Sequence, residues 1–178
     1  SIRLRRSRRV DLGCVNGKLY GTITSCGLDA EVGRLMVSGS SFRGMTGYLI
    51  QALKCIRSFC GYTVKVEVDG KVIADGEMTL VACANTTTYG GGFRIAPGAD
   101  PADGRLDVCV VRRVSRLKAL CLLPQMAFGE HPGHPEVSFL SGYEVRIDTP
   151  DPLHGLADGE VIGQTPLEVT TKHQVLRV

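Results

Sequence analysis

The chain has 178 residues, 43% of them hydrophobic and 22% charged, with a formal net charge of +3. That is one ordinary domain with material for a real core, and a charge too small to imply a nucleic-acid partner. No apolar run approaches the roughly 18 residues that a membrane-spanning helix needs, and the first residues are basic instead of apolar, so neither a spanning segment nor a secretory signal is expected.

Arg3, Arg5, Arg6, Arg8 and Arg9 crowd the first residues. Residues 1–10 read as a solvated arm, as an edge strand blunted by charge, or as a patch that docks on anionic lipid or on a preceding domain. Tyr48, Ala52, Cys55 and Phe59 share one face of a helix over 45–60, which Gly61 stops. Val64, Val66 and Val68 then alternate with Lys65 and Glu67. Asp69-Gly70 predicts a turn into 71–74, and Asp75-Gly76 a second turn into 78–82, which makes an antiparallel meander. Asn85 to Tyr89 ends a strand and feeds Gly90-Gly91-Gly92. The loop that follows is stiffened by Pro97 and Pro101, turns at Asp103-Gly104, and leaves as a strand with Leu106, Val108 and Val110 on one face.

A second helix is predicted from Ser115 to Pro124, where proline kinks or ends it. His131 and His134 have a metal-like spacing, but Pro132, Gly133 and Pro135 make a rigid exposed turn the better reading. Val145 and Ile147 alternate in a strand, and 167–170 and 174–178 read as two closing strands. The sum is a mainly β chain, an antiparallel β-sandwich with about two inserted helices. Seven cysteines, Cys14, Cys26, Cys55, Cys60, Cys83, Cys109 and Cys121, sit mostly in apolar stretches and lack the paired spacing of zinc ligands. They read as reduced core thiols of a cytoplasmic protein.

Two acidic clusters carry chemistry. Asp103 can point at the carbonyls beside it, a pocket for a hard cation, or it can cap its own Asp-Gly turn. Asp158-Gly159-Glu160 places two carboxylates around a glycine; they can take a proton from an alcohol and hold a metal, or they can form a hairpin turn, as Asp75-Gly76-Glu77 is expected to do. The amide of Asn85 can line a cleft or satisfy loop backbone.

Five segments in one order also resemble a known family: Asp11-Leu12-Gly13-Cys14-Val15-Asn16-Gly17-Lys18-Leu19-Tyr20, Ser25-Cys26-Gly27-Leu28-Asp29-Ala30-Glu31-Val32, the helix with Tyr48, Asn85 with its triple glycine and Asp103-Gly104-Arg105-Leu106, and the late Asp158-Gly159-Glu160. From about Val10 to Val178 the chain resembles the C-terminal domain of bacterial diacylglycerol kinases and related lipid kinases, which include the sphingosine kinases. The resemblance implies that 11–178 is the lipid-side β-sandwich half of an ATP-dependent kinase for a lipid alcohol such as diacylglycerol. It implies Mg2+ held by the Asp103 carboxylate and the carbonyls of Asp100 and Arg105, Asp158 as general base with Glu160 supporting it, and Asn85 and Gly91 lining the cleft. ATP would be bound mainly by a nucleotide-binding domain of the same parent protein, because the family's Gly-Gly-Asp-Gly-Thr motif is not in these residues, and the fragment alone is expected to be inactive. The partners implied are that domain, the lipid alcohol and, transiently, a membrane surface, for a cytoplasmic protein peripheral at the membrane. Two alternatives remain open: a non-catalytic β-sandwich module that binds lipid or protein, and a relative of the NAD kinases. Diacylglycerol, ceramide-like and sphingoid alcohols are not distinguished by sequence.

Overall fold

The computed structural model describes residues 7–37, 44–88 and 92–178. Strands β1 (Arg9–Val15), β2 (Lys18–Tyr20) and β3 (Ile23–Gly27) lead into helices α1 (Leu28–Val37) and α2 (Gly44–Ser58). β4 (Tyr62–Val68), β5 (Lys71–Ala84) and β6 (Leu106–Arg112) precede α3 (Arg116–Phe128), and β7 (Val137–Gly142), β8 (Glu144–Asp148), β9 (His154–Ala157), β10 (Glu160–Gln164) and β11 (Leu167–Arg177) complete the chain. Every pairing is antiparallel, in the order β10-β9-β3-β5-β4-β8-β11-β1-β2, with β6 against β5 and β7 against β6. The mainly β sandwich read from the sequence is therefore the observed architecture. It is nearly closed: Lys18 on β2 donates its Nζ to the Ile162 carbonyl on β10 at 3.2 Å, joining the two ends of the strand order.

β5 organises the molecule. Its first half pairs with β4, and its second half with both β3 and β6. Alternation then builds two cores from the same strands. Val81 and Cys83 of β5 and Leu106, Val108 and Val110 of β6 join Val64, Val66, Val145, Ile147 and Val169 inside the sandwich. Leu80, Ala82, Cys109 and Val111 face the other way and are covered by Val32, Ile56, Leu122 and Met126 of the three helices.

The structure departs from the sequence reading at five places. α1 was not expected; it starts where Gly27, at φ 95°, turns the chain out of β3. Asp75-Gly76 makes no turn, because β5 runs straight through it, with Asp75 opposite Lys65 and Gly76 opposite Val64. α3 passes through Pro124 to Phe128: the proline sits on the exposed side, where the carbonyl one turn earlier can bond to water, and Gly129 in the left-handed conformation closes the helix. The two closing strands are one strand, β11, bent where Gln174 adopts φ 51°. The histidine turn is not fully exposed: His131 is completely buried, its Nε2 3.0 Å from the Ile95 carbonyl, and burial pulls its pKa below the ordinary value against the raising pull of the carbonyls of Ile95 and Gln125.

Cys26, Cys55, Cys83 and Cys109 are buried free thiols, whereas Cys60 and Cys121 are exposed. Burial pushes Cys26 and Cys109 up to about 12, which makes them inert. Among the described residues no helix is long and apolar enough to cross a membrane. Of the basic arm, Arg8 and Arg9 pair with the end of the chain through Val178 and Arg177, while Arg3, Arg5 and Arg6 lie outside the described residues.

Candidate functional site

The β9–β10 hairpin holds Asp158 and Gly159 as its two turn residues, at φ 48° and 86°, with Ala157 paired to Glu160. Positive φ at both positions is what a tight type I′ hairpin needs, so the Asp-Gly pair is used here as a turn. The Asp158 carboxylate does more than turn the chain. Its Oδ2 accepts the Gly21 amide at 2.6 Å, and its Oδ1 accepts the Thr22 amide at 2.9 Å and the Thr22 hydroxyl at 2.5 Å. Partial burial works to raise its pKa, but the hydroxyl of Thr22 and the amides of Gly21, Thr22 and Ile23 outweigh it and hold the carboxyl below its ordinary value. Glu160, two residues on, is exposed and stands outside this network.

The Asp100–Arg105 loop is built around local turns. Asp100 Oδ1 accepts the Ala102 amide at 3.1 Å and Asp103 Oδ1 accepts the Arg105 amide at 2.9 Å, both side chains being exposed. The turn-capping reading of Asp103 is thus the geometry observed, with one carboxylate oxygen left over. The Arg105 guanidinium lies 5.0 Å from the centre of the Tyr143 ring. Asp107 is raised above the ordinary carboxylate value by burial first and by the nearby Asp103 charge second, partly offset by Ser141. An exposed turn carboxylate with backbone carbonyls beside it is the kind of oxygen chemistry that a hard divalent cation takes. Among the described residues no three His, Cys, Asp or Glu side chains gather for a metal, so such a site would rest on carboxylate, carbonyl and water oxygens.

Sequence reasoning missed the residue that anchors this loop. Asp11 on β1 is completely buried; its Oδ2 accepts the Gly104 amide at 2.7 Å, and its Oδ1 accepts the Gln174 amide at 2.6 Å and lies 2.8 Å from His173 Nδ1. Asn85 connects the two acidic clusters. Its Nδ2 donates to the Asp11 carbonyl and to the Gly21 carbonyl, both at 2.9 Å, while Gly21 itself donates to Asp158. Asp158, Asn85 and the Asp103 loop therefore belong to one hydrogen-bonded assembly. Asn85 Oδ1 is a buried acceptor without a partner among the described residues, a place for a donor hydroxyl or water. Gly91 lies outside the described residues.

A narrow apolar cavity of about 40 Å³ lies between the helices and the sheet, lined by Leu28, Val32, Ala52, Phe93, Leu122 and Met126 among others. Asp29, Tyr48 and Thr79 are its polar lining; Asp29, 2% exposed, accepts the Ser25 hydroxyl at 2.6 Å and the Tyr48 hydroxyl. The sequence motifs contain Asp29 and Tyr48 without joining them, because their meeting depends on α1, whose helical pattern is thin.

The profile of the YegS C-terminal NAD kinase beta sandwich-like domain matches residues 22–178. The chain is 30% identical over 174 residues to a diacylglycerol kinase of Mycobacterium tuberculosis, covering 95% of this chain and 56% of that protein. It is 28% identical over 131 residues to the putative lipid kinase YtlR of Bacillus subtilis, covering 74% and 42%, and 23% identical over 173 residues to a diacylglycerol kinase of the same species, covering 97% and 57%. The chain thus spans about half the length of the curated relatives it matches. A crystal structure of a putative diacylglycerol kinase from Bacillus anthracis superimposes with a TM-score of 0.73 at 21% identity, over 97% of this chain and 56% of that one, which shows the shared fold.

Proposed function

Since the chain belongs to the family of YegS C-terminal NAD kinase beta sandwich-like domains, we propose that it is the lipid-side half of an ATP-dependent kinase that phosphorylates a lipid alcohol such as diacylglycerol. The observation that carries this reading is the apolar cavity with a single buried carboxylate in its wall. A lining of that chemistry favours the end of an alkyl chain over a charged dinucleotide such as NAD.

Phosphoryl transfer asks the protein for position and charge more than for covalent chemistry. In this reading Asp158 orients the lipid hydroxyl and accepts its proton, with the donors of Gly21 and Thr22 fixing where its oxygens point. A carboxylate of lowered pKa is a weak base, which suits a loose transition state in which the proton leaves late. Glu160 adds negative charge beside it, and the Asn85 amide locks Gly21 to the Asp103 loop. Magnesium, held by the Asp103 carboxylate and the carbonyls of Asp100 and Arg105, would supply charge neutralisation and stiffen the loop. The nucleotide is assigned to the other half of the parent kinase, together with Gly91 and Asn85 at the cleft between the halves, and a membrane surface is where the substrate would be met.

Transfer of labelled phosphate from magnesium-ATP to a panel of lipid alcohols in detergent micelles tests the reading, with the parent kinase beside its Asp158→Asn and Glu160→Gln variants. The expected result is transfer by the parent and a loss of about a hundredfold or more in Asp158→Asn, with a smaller loss in Glu160→Gln. A thermal midpoint for each variant separates a lost base from a broken hairpin. Lipid binding without any transfer would return the domain to the binding-module alternative, and phosphorylation of NAD in place of a lipid would assign it to the NAD kinases.

A further inference from the structure

Helix α3 has two apolar faces. Ala119, Leu122 and Met126 are buried against the sheet and line the cavity. On the opposite side Leu117, Leu120 and Phe128 are 72%, 39% and 69% exposed, and Cys121 and Pro124 are exposed between them. Positions 117, 120, 121, 124 and 128 follow the helical repeat, so these five form one continuous stripe. A stripe of that kind on a surface helix normally meets something.

Charge says what. Neither α2, over Gly44–Ser58, nor α3 contains an aspartate or glutamate, while the two helices carry Lys54, Arg57, Arg116 and Lys118. Exposed Arg94 lies against Gly129 at the far end of α3. Lys118 is partly neutralised by Glu136, and Arg116 donates its Nε to the Phe59 carbonyl, which leaves Arg116 and Arg94 as cationic groups at the two ends of α3. An apolar face bordered by Lys and Arg, whose nearby acids Glu130 and Glu136 lie in the loop after the helix, is the pattern of a helix that lies in the plane of an anionic bilayer.

We propose that α3 docks this chain on an anionic lipid bilayer through Leu117, Leu120, Cys121, Pro124 and Phe128. The docked helix separates the bilayer from the cavity by about one helix diameter, roughly 10 Å, so a lipid leaving the membrane would have α3 as its threshold. The proposal stands on exposure and charge alone. The kinase reading gives it a use, and a binding assay without ATP lets either fail without the other.

The test is co-sedimentation of the 178-residue chain with phosphatidylcholine vesicles, with and without phosphatidylserine, beside a Leu117→Gln/Phe128→Ser double variant. Both side chains are exposed, so the variant is expected to keep its thermal midpoint. Affinity for the phosphatidylserine vesicles should fall about tenfold or more in the variant, on removing phosphatidylserine, and on raising the salt. Equal partitioning of both proteins, or indifference to phosphatidylserine, would overturn the proposal. So would a dimer, seen by light scattering, that the two substitutions dissolve, because the stripe would then belong to a second copy of the chain. Binding that vanishes once the ATP-binding half is joined would likewise assign the face to that half.

Discussion

Asp11 and Asp158 are both carboxylates committed to backbone amides, and they differ in how far the sequence could reveal them. Asp158 announces itself, because an Asp-Gly pair between alternating strands is a hairpin signal, and the hairpin is there. Asp11 gives no such sign: it sits in a strand where Val10 beside it is also buried, and its partners Gly104 and Gln174 are 93 and 163 residues away. Only the folded chain shows why a carboxylate is tolerated with no exposure at all. Replacing it should show this in stability. Asp11→Ala strands two backbone amides, and is expected to cost about 3 kcal/mol in urea unfolding and to speed tryptic cleavage after Arg105 as the loop loosens. His173, 53% exposed, contributes little to that sum because water screens it. An unchanged urea midpoint would mean that the loop is held by its own Asx turns.

At the scale of elements, alternation identified β4 and β8 because one side chain in two was apolar and buried, and β6 showed as an apolar run because it is buried on both faces. Alternation failed where tertiary partners overrode local signals. Asp75-Gly76 is a turn dipeptide, yet the ladder to β4 and the charge of Lys65 opposite Asp75 keep it extended. α1 is short, and its glycine, Gly33, brings it close against Leu156 of β9 in place of a side chain, so its helical pattern is thin. The start of α1 hangs on Gly27. A Cβ there would lie 2.7 Å from the Thr79 carbonyl, in a backbone conformation that L residues rarely adopt. Gly27→Ala is therefore expected to destabilise the fold by about 3 kcal/mol and to disturb Asp29, two residues on, whereas Gly70→Ala, at a similar φ with open space around it, should cost only about 1 kcal/mol. Equal effects in a thermal melt would show that α1 tolerates a different entry.

The whole molecule is two cores sharing strands β3, β5 and β6, and the two are not equally filled. The core inside the sandwich is packed by branched side chains at zero or near-zero exposure, while the one under the helices keeps a cavity. This difference was beyond sequence reasoning, since it depends on how three helices, one of them unread, settle over one sheet. A cavity kept in an apolar core costs stability, and its persistence is intelligible if a ligand occupies it. Ala119, 6% exposed on the inner face of α3, is the position to ask. Ala119→Leu should fill part of the space, raise stability by about 1 kcal/mol and shift the thermal midpoint upward by a few degrees. The same substitution should weaken binding of a long-chain lipid alcohol and lower its phosphorylation by the parent kinase. Stability and lipid affinity moving in opposite directions is the signature of a cavity kept for a ligand. A stabilised variant with undiminished lipid binding would instead mark the space as a packing defect and move the lipid elsewhere on the domain.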